Sequence, residues 1–162
     1  MPQQTQRRLW FVVLMAALSF SMRLTHVYDP ICQVLTKVLI YGCTWMNVEL
    51  FQNSPTSFIM ANQLTVVVDP LCTAIPSYLL SVPFLYLIGE SRTRFVGRIA
   101  TFFVVMSVVN AARLIVGLWA YDRGTSWLVS HEIAYGIFYA IWAIYILSLH
   151  KLKVPRTHQL AI

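Results

Sequence analysis

Long apolar runs separated by short polar links dominate the chain. Three of them, residues 71–88, 95–121 and 127–149, are near or above the roughly 20 residues that a helix needs to cross a bilayer. An earlier run, residues 9–24, predicts a shorter span with Arg23 reaching back to the membrane surface. An anchor or a cleaved leader is the alternative for that run, although no small-residue cleavage pattern follows it. The pattern therefore predicts about four transmembrane helices.

Residues 31–51 follow a different pattern, with apolar and polar side chains on opposite faces of a helix. Such a helix lies in the membrane interface, or across the mouth of a bundle, more readily than it spans lipid. A fifth span is the alternative, and Lys37 and Glu49 argue against it. The apolar face comprises Ile31, Val34, Leu35, Val38, Leu39, Gly42, Trp45 and Met46.

Two short β-branched or apolar runs, residues 57–61 and 64–68, flank a polar pair of residues, which is typical of a β-hairpin. The predicted fold class is therefore an all-α integral membrane protein of about four transmembrane helices, with an amphipathic interfacial helix and a short β-hairpin on the outer side. We expect residues 1–162 to form a single membrane-embedded domain, because the chain is too small for a separate soluble module.

Composition agrees with this class, since 58% of the residues are hydrophobic and 11% are charged, against roughly 25% charged in a soluble domain. The net charge of +6 alone would suggest nucleic-acid binding, but the distribution of the basic residues along the chain indicates a membrane topology instead. With four spans and both termini in the cytoplasm, eight of the twelve Lys and Arg residues lie inside, as the positive-inside rule favours. These eight are Arg7, Arg8, Arg92, Arg94, Arg98, Lys151, Lys153 and Arg156. The predicted location is the cytoplasmic (inner) membrane, and the partner is the bilayer rather than nucleic acid.

Cys72 lies just after Asp69 and Pro70, a favoured N-cap and a favoured first helical residue. This places the thiol in the first turn of the helix over residues 71–88. Backbone N–H groups and the helix dipole favour negative charge there, so we expect a lowered thiol pKa. The alternative is that Cys72 is a small packing residue. Cys32 and Cys43 are about 16 Å apart along one helix, which is too far for a disulfide bond between them. A disulfide bond from either residue to Cys72 is still an alternative.

Arg113 lies inside the run 95–121, with Asn110 one turn earlier on the same face. An ionisable residue at such a depth is usually directed inward and paired, although an Arg that reaches the outer surface is the alternative. His131 opens the last span, with Tyr135 one turn below it, and an interfacial cap is the alternative for this residue.

By topology alone, Cys72, Arg113 and His131 all lie towards the outer leaflet. A thiol, a guanidinium and an imidazole in one place suit acyl transfer. The thiolate would attack a carbonyl, His131 would move protons, and Arg113 would stabilise the developing oxyanion. The active site would then face the outer, periplasmic side of the membrane.

The chain resembles the exosortase/archaeosortase family of membrane-embedded cysteine transpeptidases over roughly residues 57–150. Three elements carry the resemblance: Val66-Val67-Val68-Asp69-Pro70-Leu71-Cys72, Asn110-Ala111-Ala112-Arg113-Leu114, and His131-Glu132-Ile133-Ala134-Tyr135-Gly136. The resemblance implies that Cys72 is the nucleophile, Arg113 the stabilising cation and His131 the acid/base residue, with Asn110, Asp69 and Tyr135 in support. It also implies a substrate that ends in a sorting signal, made of a short motif, a transmembrane helix and a basic cluster, and an acceptor of unknown identity.

One element departs from the family. The family's Cys usually begins Cys-Ser-Gly-x-Arg-Ser, and here the residues are Cys72-Thr73-Ala74-Ile75-Pro76-Ser77. Pro76 replaces the second Arg, which puts any role of that Arg in doubt. The chain is also shorter than typical exosortases, so we expect a compact form, similar to exosortase H.

Other chemistries have little support in the sequence. The four His residues lack ligand spacing, and serine-hydrolase, zincin and phosphate-loop motifs are missing, so we expect neither a metal nor a cofactor. A non-catalytic membrane scaffold or small transporter subunit is the alternative function, with Arg113 and His131 in a structural polar seam. An enzyme that acts on lipid is a further alternative.

Overall fold

The computed structural model describes residues 3–86 and 91–151. Five α-helices, a four-residue 3₁₀ turn (Pro70–Thr73) and three short strands lie in this part of the chain. The helices are α1 (Gln3–Leu24), α2 (Asp29–Trp45), α3 (Ile75–Leu85), α4 (Arg92–Asp122) and α5 (Trp127–Lys151). The strands are β1 (Leu50–Ser54), β2 (Ser57–Met60) and β3 (Thr65–Val67). The predicted class is confirmed in its coarse form, a mostly helical chain with a small sheet.

Two of these helices, α4 and α5, are long and apolar enough to cross a membrane, over Arg92–Asp122 and Trp127–Leu149. Helices α1 and α2 meet at a bend of 81° and reach the same length and hydropathy only when Leu9–Leu24 and Asp29–Trp45 are taken together. The described residues thus contain two candidate spans, or three with the bent pair, and the predicted four are not confirmed. The apolar helices suggest membrane association.

The span predicted over residues 71–88 is shorter in the structure. Helix α3 has 11 residues, and at a rise of about 1.5 Å per residue it covers about 16 Å of a hydrocarbon core about 30 Å thick. The preceding residues form the 3₁₀ turn, and Ala74, with a φ of 56°, separates that turn from α3. Residues 87–88 of the predicted span lie outside the described residues.

Helix α2 ends at Trp45, and the chain then turns into β1, so the predicted helix over residues 31–51 is too long. On the predicted apolar face, Leu39 is buried, whereas Val34 is 62% exposed and Trp45 is 87% exposed. The buried residues are Cys32, Thr36, Leu39 and Cys43. Thr36 tolerates this burial because its hydroxyl donates a hydrogen bond of 2.8 Å to the Cys32 carbonyl oxygen.

The strands form an antiparallel sheet in the order β1-β2-β3. The hairpin predicted over residues 57–61 and 64–68 is confirmed as β2 and β3, with Phe58 opposite Val66. The sequence analysis missed β1, because it extended α2 through those residues. Strand β3 lies at one edge of the sheet and leads directly into the 3₁₀ turn.

Two apolar clusters hold these elements together. One joins α2, the sheet and α4 and includes Leu39, Phe58 and Leu118. The other joins α3, α4 and α5 around Tyr78 and Phe102, and the Tyr78 hydroxyl donates a 2.7 Å hydrogen bond to the Met106 carbonyl oxygen. The outer faces of α4 and α5 expose mainly Val, Ile and Leu side chains, which suits contact with lipid.

Candidate active site

A cavity of about 310 Å³ lies where β3, the 3₁₀ turn, α4 and α5 meet. Cys72, Arg113 and His131 all line this cavity, together with Asp69 and Tyr135. The rest of the lining is mostly apolar and comprises Leu39, Val66, Val67, Val68, Leu71, Leu114, Gly117, Leu118, Trp127 and Ala134. The structure therefore brings five of the six predicted site residues to one cavity, and Asn110 lies beside them on α4.

Asp69 caps the turn that carries Cys72. Its Oδ1 atom accepts a hydrogen bond of 3.0 Å from the Cys72 backbone N–H, so the predicted capping role is confirmed. The capped element is the 3₁₀ turn and not the first turn of a long helix, as the sequence predicted. Cys72 is therefore presented at the junction between β3 and α3, where its side chain is half-buried.

The environment of the thiol opposes its ionisation. The pKa of Cys72 is raised to about 11 by all its surroundings together: burial raises it most and the Asp69 carboxylate also raises it, while the Asp69–Cys72 backbone hydrogen bond and the Arg113 cation lower it. The predicted lowering is thus wrong, because desolvation by the apolar cavity wall outweighs the favourable N–H group and cation. At neutral pH the resting group is a thiol, and a reaction at Cys72 needs a base that takes its proton.

Asn110 connects the turn to Arg113. Its Nδ2 atom donates a 2.8 Å hydrogen bond to the Cys72 carbonyl oxygen, and its Oδ1 atom accepts a 3.0 Å hydrogen bond from Arg113 Nε. Both side chains are buried, with exposed fractions of 2% for Asn110 and 8% for Arg113. Because Nε is held in this way, the terminal Nη groups of Arg113 are the ones that a bound oxygen atom would meet.

Tyr135 connects Arg113 to His131. The Arg113 guanidinium carbon lies 4.6 Å from the centre of the Tyr135 ring, within range of a cation–π interaction. The His131 and Tyr135 rings stack at 5.5 Å between centres and an angle of 18°. The Tyr139 hydroxyl donates a 3.0 Å hydrogen bond to the Tyr135 hydroxyl, which fixes the far end of the Tyr135 ring.

An unbroken series of contacts therefore runs along the cavity wall, from Cys72 through Asn110, Arg113 and Tyr135 to His131. Within the described residues, however, no hydrogen bond joins the Cys72 thiol to the His131 imidazole. The thiol points to the Val67 carbonyl oxygen at 4.0 Å, and His131 Nδ1 lies 3.6 Å from Glu132 Oε1. The two groups line the same cavity without a hydrogen bond between them, so a proton would pass from one to the other after a side-chain rotation or through water.

Sequence reasoning missed one part of this wall. Trp127 lines the cavity, and its ring packs against that of His131 with 5.6 Å between centres and a tilt of 31°. The spacing of four residues among Trp127, His131, Tyr135 and Tyr139 would have shown that these rings share one helix face.

No group of three or more His, Cys, Asp or Glu side chains that could hold a metal occurs among residues 3–86 and 91–151. The expectation that the chain uses no metal or cofactor stays a prediction. Comparison of the chain with protein-family models, with curated proteins and with solved structures gives no match. The interpretation of the cavity therefore depends on its own residues.

Proposed function

We propose that the chain is a membrane cysteine transpeptidase or protease of the exosortase type, which cleaves C-terminal sorting signals of exported proteins and passes the new carboxyl end to an acceptor. The observation that carries this proposal is the meeting of Cys72, Arg113 and His131 at one mostly apolar cavity. These residues come from the 3₁₀ turn, α4 and α5, as the three elements of the family resemblance require.

Each residue has a role that its chemistry suits. His131 takes the thiol proton of Cys72, and the thiolate attacks the carbonyl carbon of the scissile peptide bond. Arg113 stabilises the oxyanion that forms, since its charge is held in a cavity of low polarity. His131 then gives its proton to the leaving amine, which leaves a thioester on Cys72. An acceptor amine, or water, attacks the thioester and regenerates the thiol.

The departure of the cysteine element from the family pattern has a structural counterpart at Ala74. This residue stands where the family has Gly, and its φ of 56° lies in the left-handed region that glycine adopts most easily. The turn after Cys72 therefore keeps a conformation suited to the family's residue, which supports the resemblance. Pro76 lies in the first turn of α3, where a missing backbone N–H costs little.

The proposed setting is a multi-pass protein of the cytoplasmic membrane, with both termini in the cytoplasm and the cavity towards the outer side. The distribution of basic residues supports this orientation. The substrate's own transmembrane helix would lie against the apolar outer faces of α4 and α5 and present its motif at the cavity. Substrate and acceptor are thus an exported protein with a tail and an unidentified nucleophile.

Cleavage of a reporter tests the proposal. The chain is co-expressed with exported reporters that end in a short motif, one transmembrane helix and a basic cluster, and the motif is varied as a library. We expect wild type to shorten at least one reporter, and Cys72→Ala, Arg113→Ala and His131→Ala to leave it intact at equal expression. Processing by Cys72→Ala, or a library that wild type leaves uncleaved, would contradict the proposal.

A second candidate, a non-catalytic scaffold or transporter subunit, is favoured by one observation. The Asn110 side chain ties α4 to the 3₁₀ turn through its bond to the Cys72 carbonyl and also holds Arg113, which a purely structural polar seam would also do. Under this alternative, Cys72→Ala would have no effect on function, whereas Asn110→Ala would still destabilise the fold.

A further inference from the structure

Among the described residues, no strand pairs with the outer edge of β3, which runs beside the cavity. We propose that a peptide substrate binds there as an added β-strand. The natural peptide is identified only through the proposed function, as the segment that contains the sorting motif. The binding mode itself follows from the sheet, and it specifies an extended segment whose backbone hydrogen-bonds to β3.

The hydrogen bonds of the sheet define which backbone groups of β3 are directed outward. Met60 N–H donates to the Leu64 carbonyl at 2.9 Å, and Val68 N–H donates to the Thr56 carbonyl at 2.8 Å. In an antiparallel pair the direction alternates along the strand, so residues 64, 66 and 68 bond to β2. The N–H and C=O groups of Thr65 and Val67 therefore face away from the sheet.

This outward edge leads to the candidate nucleophile. The Val67 carbonyl oxygen is an edge group, and it is the atom that the Cys72 thiol approaches at 4.0 Å. Val66, Val67 and Val68 also line the cavity that contains Arg113 and His131. A strand paired with β3 at the usual spacing of about 4.8 Å would pass its backbone carbonyls beside Cys72.

Apart from its shortness, the edge carries no charge or proline, the residues with which proteins often prevent strand addition. Its residues, Thr65, Val66 and Val67, include no charge and no proline, and Val67 is 62% exposed. Main-chain hydrogen bonds supply affinity in strand addition, and pockets for alternate side chains supply selectivity. The mostly apolar cavity would accept small or β-branched side chains of every second residue. A three-residue edge is short for a stable contact between two copies of the chain, so a peptide is the better occupant.

Disulfide tethering to Cys72 tests this binding mode without any turnover. The probe is the extended peptide acetyl-Thr-Val-Thr-Val-Cys-amide, supplied as its mixed disulfide with 2-mercaptoethanol. The Cys72 thiolate attacks the peptide sulfur, 2-mercaptoethanol leaves as its thiolate, and the peptide remains joined to Cys72. Because Cys32 and Cys43 are buried and Cys72 is half-exposed, Cys72→Ser controls for the site of attachment. The retained fraction is measured by intact-mass spectrometry at rising concentrations of reductant.

We expect N-methylation of the probe to weaken retention at alternate positions only. One lost hydrogen bond of ordinary strength corresponds to about a fivefold drop in retention. Methyl groups at the intervening positions should leave retention unchanged, and amide exchange of Thr65 and Val67 should slow in the adduct. Equal effects at all positions, or unchanged exchange at both residues, would overturn the proposal.

A pair of variants tests the chain's side of the contact. Thr65→Pro removes one outward N–H of β3, and Gln52→Pro removes the equivalent outward N–H on β1, at the opposite edge of the sheet. We expect Thr65→Pro to reduce probe retention about fivefold and Gln52→Pro to leave it unchanged. Equal probe retention in both variants would contradict strand addition. A wild-type dimer that dissociates in Thr65→Pro would also contradict it, because β3 would then pair with a second copy of the chain and not with a peptide.

The tethering result and the reporter result are independent. If N-methylation weakens probe retention at alternate positions but no reporter is cleaved, strand addition is supported and the proposed function is contradicted. If a reporter is cleaved but N-methylation has the same effect at every position of the probe, the proposed function is supported and strand addition is contradicted.

Discussion

Replacement of Asn110 by Ala should destabilise the protein more than any exposed substitution on α4. The side chain is 2% exposed and makes two hydrogen bonds, one to the Cys72 carbonyl and one from Arg113 Nε. Ala would leave the partly buried Cys72 carbonyl and the buried Arg113 Nε–H without this partner. Each such group costs about 1–3 kcal/mol, with the larger value for the charged one. The free energy of unfolding should therefore fall by about 2–5 kcal/mol.

Thermal unfolding in detergent, followed by far-ultraviolet circular dichroism, measures this effect. For a chain of this size the expected shift in Tm is on the order of 10 °C. Val108→Ala is the matched control, since Val108 lies on the same helix and is 65% exposed, and it should change the free energy by about 0.5 kcal/mol or less. Asn110→Asp should be intermediate, because it keeps an acceptor for Arg113 but turns an oxygen towards the Cys72 carbonyl.

Two results would refute this reasoning. If Asn110→Ala unfolds at the same temperature as Val108→Ala, the hydrogen bonds between α4 and the 3₁₀ turn do not hold the site together. If Asn110→Asp is as unstable as Asn110→Ala, the bond with Arg113 contributes little, and the contact with Cys72 carries the effect alone.

Three further predictions concern the turn and the cavity wall. Ala74→Gly should raise Tm by a few degrees. A residue with a Cβ destabilises the fold by about 1 kcal/mol at a φ of 56°, and Gly avoids this strain. An unchanged or lower Tm would contradict the left-handed conformation. The rate at which iodoacetamide alkylates Cys72, with Cys72→Ser as the blank, should rise about tenfold per pH unit from pH 7 to pH 10. The reason is that a thiol with a pKa of about 11 is mostly protonated throughout that range. A plateau near pH 8 would contradict the burial of the thiol. Tyr135→Leu should lower reporter cleavage about tenfold, since it removes the ring that contacts Arg113 and His131. Tyr135→Phe keeps that ring and loses only the hydrogen bond from the Tyr139 hydroxyl, so it should stay closer to wild type. Equal losses in both variants would assign the role to the hydroxyl.

Local signals made part of the site predictable. The Asp69 cap depends only on residues three positions apart, and it occurs as expected. The alternation in residues 57–61 and 64–68 likewise predicted a hairpin. The common location of Cys72, Arg113 and His131 required only the order of apolar runs and their directions, and this order still brings them to one cavity although α3 is too short to span alone.

The remaining features depend on non-local packing. The length of α3 is limited by the left-handed conformation of Ala74, for which an alanine gives no sequence signal. The buried face of α2 includes Thr36 because its hydroxyl bonds to the helix backbone, which a polarity pattern does not register. The pKa of Cys72 depends on how closely the cavity wall surrounds the thiol, and that wall is assembled from distant parts of the chain.

The most direct measurement is detection of the covalent intermediate. Wild type is incubated with a cleaved tailed reporter and an excess of tail peptide, quenched in acid and analysed by intact-mass and peptide-level mass spectrometry. We predict an adduct equal to the N-terminal cleavage product, attached to Cys72, released by hydroxylamine and missing in Cys72→Ala. Reporter cleavage without an adduct on Cys72, and equally fast in Cys72→Ala, would contradict the proposal that Cys72 is the nucleophile.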